Sequence, residues 1–433
     1  MLVLLGIIVI FLITALKPKF GLYLLAASLP IIGRDFYVYS LIIPAADLIA
    51  LLVLLGFVTN LLFISLFKPK IPIKINWPLF FPFAIFFLAH LLSIIFSSQA
   101  LASFYYFLRW PFFLYLAYIL APANIIKDTK TLKKVVVIVF FSSLVVLITG
   151  YLSLFGQDLS NAFFRLKSLY IFKSYPFGEN HNLIAEFLNI GAFFVLIIKE
   201  FLKDKRLRRL ADILFIATAL GIILTFSRTG WITLFLQSAI YIYYRLKHNP
   251  KEKTAILVVI LLAVAFLSPL FWRMSLLQDK NISSTENRLL LTEISLQALQ
   301  SKPLFGHGSG QFINLVDNNI RFTAKYGPAV DAHGMVQKIL AENGLFGLAA
   351  WLFLLFYIAK ISWEALNKYY PRVKWMLPFS LAALGGIFFQ FFNTSYYKGK
   401  VWFPIILFLL ALQFTNQRYV KKNKNTTNPT KFY

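Results

Sequence analysis

The sequence predicts an all-α polytopic membrane protein of about 12–14 transmembrane helices, with one large external loop containing amphipathic helices. Three observations predict it. Hydrophobic residues make up 59% of the 433 positions and only 14% are charged, more apolar surface than a soluble domain can hide. Apolar stretches recur from end to end, each long enough to cross ~30 Å of hydrocarbon. The Lys and Arg residues crowd into every second loop, the pattern that orients helices in a bilayer.

Taken in order, the spans fall near 2–16, 19–33, 42–66, 77–97, 101–121, 133–155, 182–199, 209–226, 229–246, 254–272, 335–360, 375–396 and 400–415. The first begins at Met1 without a basic leader or small-residue cleavage site and reads as a retained helix. The chain divides into an N-terminal bundle (1–272), a large loop (273–334), C-terminal helices (335–415) and a disordered basic tail (416–433). No internal repeat or heptad pattern is visible. There are no cysteines, so disulfides, thiolate metal sites and a Cys nucleophile are excluded.

The net charge is +26. It lies in short loops between apolar segments, which fits membrane orientation and phosphorylated lipid rather than nucleic acid. Most Lys and Arg sit in the loops near 17–19, 68–74, 127–134, 199–209, 245–253, 360–374 and the tail, which are therefore assigned to the cytoplasm. The segment 156–181, the turn at Ser227-Arg228-Thr229 and the loop 273–334 then face outward. One long loop among short connections is where function is expected.

Candidate chemistry gathers on that face. His333, in Asp331-Ala-His-Gly-Met, carries an imidazole able to take a proton from a hydroxyl near neutral pH; an interfacial packing role is the alternative. Arg228, in Leu224-Thr-Phe-Ser-Arg-Thr-Gly-Trp, lies between two apolar runs with no acid nearby in sequence. A diphosphate would suit its planar fork, and snorkelling to the interface is the alternative. Arg288 belongs to an amphipathic stretch, apolar at 289, 290, 294, 296 and 299, expected to lie along the membrane surface. Gly306, Gly308 and Gly310 alternate in Pro303-Leu-Phe-Gly-His-Gly-Ser-Gly, either a cradle for an anion or a plain tight turn. Arg165, Lys167 and Lys173 add positive charge, Asn182 caps or contributes to a site, and Arg109 faces a polar cavity or snorkels. His90 and His248 read as structural or solvated. No pair of outer carboxylates has metal-ligand spacing, which disfavours a metal-dependent transferase.

The ordered set Phe177 to Asn182, Ser227-Arg-Thr-Gly, Arg288, Pro303 to Gly310, His333 and Glu342-Asn-Gly-Leu-Phe-Gly resembles the O-antigen ligase and polymerase superfamily, over roughly 160–360. The resemblance implies a GT-C-like helical fold in the bacterial inner membrane with a periplasmic active site. It implies an undecaprenyl-diphosphate-linked glycan donor and a lipid A-core or growing-glycan acceptor. It also implies inverting transfer without nucleotide sugar, metal or other cofactor. The histidine matching His333 is then the base or acceptor-orienting group, and the arginines matching Arg228 and Arg288 hold the diphosphate. The further expected substrate contacts are Arg165, Lys167, Asn182, Arg109, Gly306 and Gly308. One departure is His333-Gly334, where family members often carry His-Asn. A ligase is favoured over a polymerase; a lipid-linked sugar transporter is the reading from another class, against which the missing repeats speak.

Overall fold

The computed structural model describes residues 2–33, 35–38, 41–70, 72–155, 157, 165–171, 173–250, 278–370, 372–392 and 398–426. The expected span 254–272 lies outside the described residues. The rest is helical. α1 (Leu2–Leu16) and α2 (Pro18–Ser28) form a hairpin, followed by a small antiparallel pair, β1 (Asp35–Val38) and β2 (Leu41–Pro44). Pro30 sits just past the end of α2, so the second apolar run yields a helix shorter than expected. Next come α3 (Ala45–Phe67), α4 (Phe80–Ile95), α5 (Ala100–Ile125), α6 (Thr129–Leu152), α7 (His181–Phe201), α8 (Lys205–Leu224) and α9 (Arg228–His248). The loop region contributes α10 (Gln278–Ser301), α11 (Phe312–Asp317) and α12 (Ile320–Tyr326), and α13 (Met335–Tyr369), α14 (Met376–Gln390) and α15 (Gly399–Thr426) close the chain.

Six of these, α3, α5, α6, α7, α13 and α15, are long and apolar enough to cross a membrane. The protein is therefore a multi-pass membrane protein. Burial ranks the helices: 78% of the apolar stretch of α7 is inside the protein, against 28% for α3. α7 packs on α6, α8, α9 and α14 and forms the centre. The outer helices turn large apolar side chains outward, among them Leu62, Phe63 and Phe235. In lipid such exposure carries no hydrophobic penalty, so packing and polar pairing hold the bundle instead.

Two helices are interrupted, each for an identifiable reason. Pro111 sits inside a π-helical turn of α5, Leu108–Phe112; proline has no N–H to donate, so the regular ladder cannot continue. α13 breaks at Gly344 (φ 65°, ψ −162°). The segment 303–308 runs beside that break and satisfies the freed backbone groups. Leu345 N–H donates to Pro303 O (2.9 Å) and Phe346 N–H to Leu304 O (3.1 Å), while His307 and Gly308 N–H donate to Ala341 O (3.0 Å) and Glu342 O (2.9 Å). The two glycine motifs of the sequence are thus halves of one structure.

Those glycines cannot be replaced. Gly308 has φ +114°, and a Cβ there would run into the Ser97 and Ser103 hydroxyls. Gly308→Ala is expected to destabilise the fold by about 1–3 kcal/mol, read as a lower unfolding temperature of the detergent-solubilised protein. An unchanged melting curve would contradict this packing.

The contacts between loops sort them into two ends. At one, Lys19 pairs with Asp128 (2.9 Å) and Arg418 donates to Thr129 Oγ1 (3.0 Å). At the other, Gly33 N–H donates to Pro176 O (3.0 Å), Leu166 N–H to Leu224 O (2.8 Å) and Lys302 Nζ to Phe96 O (2.9 Å). Each pairing joins loops that the Lys and Arg pattern had put on the same side.

Two expectations need correction. The amphipathic helix was expected to lie along the membrane with 289, 290, 294, 296 and 299 apolar. In fact α10 buries Leu290, Leu291, Ile294 and Ala298 in a second core with Phe312, Val316, Phe322 and Ala332, and leaves Leu289 and Leu296 exposed. The face that packs on the neighbouring loop helices and α13 wins over the strip that hydropathy alone selects. The tail was expected to be disordered from 416, yet α15 is helical to Thr426. Gln417, Arg418 and the lysines that follow are good helix formers, and the Tyr419 ring lies 5.3 Å from that of Tyr369.

Candidate functional site

Arg228 is placed by a tight turn. α8 ends at Leu224, and Phe226 adopts a left-handed backbone (φ 54°), a conformation that costs a bulky residue about 1–3 kcal/mol. The turn makes Ser227 the N-cap of α9: its Oγ accepts from Gly230 N–H (3.1 Å) and donates to Asn182 Oδ1 (2.6 Å). Asn182 opens α7, whose own N-cap is Asn180. The predicted role of Asn182 as cap therefore belongs to Asn180, and Asn182 instead ties two helix N-termini together. Each terminus carries partial positive charge, the natural receptor for an anion.

Arg288 and His333 join them through α10 and α13. Ser295 Oγ donates to Gln337 O (2.6 Å), and Gln337 Nε2 donates to Thr292 Oγ1 (2.5 Å), which docks the Arg288 helix on the first turn of α13. Arg288 lies close enough to Arg228 to feel its charge. Burial, then Arg228, holds the Arg288 guanidinium below its ordinary value. His333 is held below its ordinary value by burial first and by Arg288 second, with Asp331 opposing. Arg165 and Arg288 both act on His181, the first residue of α7. Arg228, Arg288, His333, Arg165 and His181 thus form one electropositive neighbourhood at the joined ends of α7 and α9. Like charges gathered at one end of the bundle favour an anionic guest.

Arg165 is fixed by its backbone: its N–H donates to Gln157 Oε1 (3.1 Å), and the adjacent Leu166 is fully buried. Burial holds the Arg165 guanidinium below its ordinary value. Lys167 is exposed, its N–H bound to Ser153 Oγ (3.1 Å). Arg109 lies on α5, its guanidinium 4.7 Å over the Trp110 ring. Gly306 and Gly308 use their N–H groups inside the fold, on Lys302 O and Glu342 O, so these amides are not offered to a phosphate. Of the two readings of the glycines, the structure matches the tight turn.

Three residues with no role in the sequence reading support the site. Lys338 is almost completely buried and lies 2.7 Å from both oxygens of Asp331 and 3.5 Å from Glu342. It anchors the segment that carries His333, two residues beyond Asp331. The signal was a lysine and glutamate four apart in an apolar helix, an arrangement that needs partners. Beneath α7, the buried pair Lys400–Glu186 (2.5 Å) holds the start of α15 against the first turns of α7. Lys338→Met would leave the buried Glu342 carboxylate without its cation and is expected to destabilise the protein by about 3–5 kcal/mol. A denaturation series on Lys338→Met alone and with Glu342→Gln checks this; the second change should recover part of the loss.

Gly334 follows His333 at the N-cap of α13 with no side-chain cap, and a Cβ there would lie 3.3 Å from Phe391 O. Glycine lets the His333 loop approach the end of α14 closely, a physical reason for the departure from His-Asn.

Residues 213–352 match the family model described as O-antigen ligase. That segment is similar to the O-antigen ligase family. The matched segment spans Arg228, Arg288, His333 and the break at Gly344, and excludes α1 to α7. No curated protein matches the chain. Together with the multi-pass helical fold, that similarity supports a membrane glycosyltransferase of the ligase or polymerase type.

Proposed function

We propose that this protein moves a glycan from an undecaprenyl-diphosphate carrier to an acceptor hydroxyl at the periplasmic face of the inner membrane, as an O-antigen ligase attaching polysaccharide to lipid A-core. The observation that carries the reading is that the Ser227–Asn182 hydrogen bond joins the N-termini of α7 and α9 at Arg228, while α10 docks the helix of Arg288 on the first turn of α13, just after His333. The arginines hold the diphosphate and absorb the charge that grows as it leaves. His333, neutral at pH 7, takes the proton from the acceptor hydroxyl. The acceptor oxygen attacks the anomeric carbon opposite the leaving group, the bond from that carbon to the diphosphate oxygen breaks with its electron pair, and configuration inverts. Expulsion of a diphosphate needs no acid, and guanidinium groups take the place a metal would fill. Transfer in the presence of chelator, scored for lipid A-core product and for chain elongation, tests the reading and separates a ligase from a polymerase.

The pH dependence has a definite sign. A base must be unprotonated, and His333 is held below 6.5. Activity should therefore be flat near neutrality and fall only as pH drops below 6.5. Removing the neighbouring cation in Arg288→Gln makes protonation easier, so the acid limb of the residual activity should move to higher pH. Asp331→Asn should move it the other way. Rate–pH profiles of the three proteins check this, and coincident acid limbs would contradict it.

A further inference from the structure

The end of the bundle opposite Arg288 holds a second basic site. α7 begins among the arginines at His181 and is 21 residues long, so its far end lies about 30 Å away. There, between the ends of α7 and α9 and the start of α14, is a cavity of about 250 Å³, and a second of about 390 Å³ adjoins it toward α15. The two share Glu200 and Lys374 as walls. Arg245 lines the first, and Arg372 and Arg418 line the second. Glu200 is the one carboxylate lining either cavity among the described residues, and it is itself 3.6 Å from Arg208.

Orientation of helices by charge requires basic loops but no hollow. Here Lys199, Arg245, Arg372, Lys374 and Arg418, cations of four separate segments, converge on one double hollow, and a marked excess of one sign in low-dielectric walls concentrates anions. The floor of the first cavity includes the apolar side chains of Leu196 and Leu377, and Trp375 lines the second. An interfacial aromatic, an apolar floor and a ring of cations at the ends of membrane-spanning helices match a lipid headgroup with its first carbons. We infer that this double cavity binds the phosphate of an anionic phospholipid headgroup, on the membrane face opposite the arginine site. The inference stands independently of the glycan-transfer reading.

The test uses the full-length protein in mild detergent, mixed with equal amounts of phosphatidylglycerol and phosphatidylcholine. Lipid that remains bound through size-exclusion chromatography is extracted and quantified by mass spectrometry. The wild type should retain phosphatidylglycerol preferentially. At about 1 kcal/mol per basic group, Arg372→Gln and Lys374→Gln should each cut that preference about 5-fold. Arg228→Gln, at the other end, should keep it. Arg418→Gln, an exposed change, supplies the same readout should either of the first two fail to fold. No preference in the wild type, or an undiminished preference in the folded variants, would overturn the inference. So would loss of the preference in Arg228→Gln. Displacement of the lipid by millimolar inorganic phosphate would overturn the lipid assignment in favour of a soluble phosphate ligand.

Discussion

Arg288→Ala should lower the rate of glycan transfer by about 10²–10³-fold, with helix content and elution profile unchanged. The side chain stands outside the buried core of α10, which consists of Leu290, Leu291, Ile294 and Ala298. Its removal therefore spares packing and removes charge at the point where Arg228 and His333 are both within reach. The loss should fall on donor as well as on turnover, because the same guanidinium binds the diphosphate before reaction and stabilises it as it departs. Arg288→Lys keeps the charge and loses the bidentate fork, so it should lie between the two. Arg228→Ala should behave like Arg288→Ala, and the double variant should lose less than the product of the two, since both arginines face one anion. Single-turnover rates with saturating donor check the series; a wild-type rate in Arg288→Ala would remove the guanidinium from the mechanism.

His333→Ala should show the complementary defect. Loss of a general base slows transfer by about 10²–10⁴-fold, while binding of the lipid-diphosphate donor stays close to that of the wild type. An imidazole takes a proton where a guanidinium holds a phosphate, so the expected partner of His333 is the acceptor hydroxyl. The split between normal donor binding and lost turnover distinguishes a base from a residue that only shapes the loop; equal loss of both would assign His333 to binding. Lys338→Met supplies the comparison. It releases Asp331 and the start of the His333 loop, and so should impair stability and transfer together.

Much of this arrangement was legible in the sequence. Apolar runs located α3, α6 and α7, and the alternation of basic loops put Arg165, Arg228, Arg288 and His333 at one end, where contacts such as Leu166 to Leu224 place their loops. The alternation works because charge is costly in lipid and every crossing flips the side. Pairing between distant helices was not legible. Lys400 meets Glu186 across more than two hundred residues, and hydropathy says nothing about which faces of α7 and α15 meet. The glycines at 306, 308 and 310 look the same in sequence whether they cradle a phosphate or a broken helix. The break itself depends on Gly344, whose left-handed backbone only the folded chain reveals. His181 escaped notice as a member of the cluster because its link to Arg288 arises from the docking of α10, a tertiary event.

The most direct measurement is donor binding and product formation by purified protein with undecaprenyl-diphosphate glycan and lipid A-core, chelator present, for the wild type, Arg288→Ala and His333→Ala side by side. The expected outcome is product from the wild type, weak donor binding without product for Arg288→Ala, and retained donor binding without product for His333→Ala. Undiminished product from either variant would contradict a shared transfer site at the joined ends of α7 and α9.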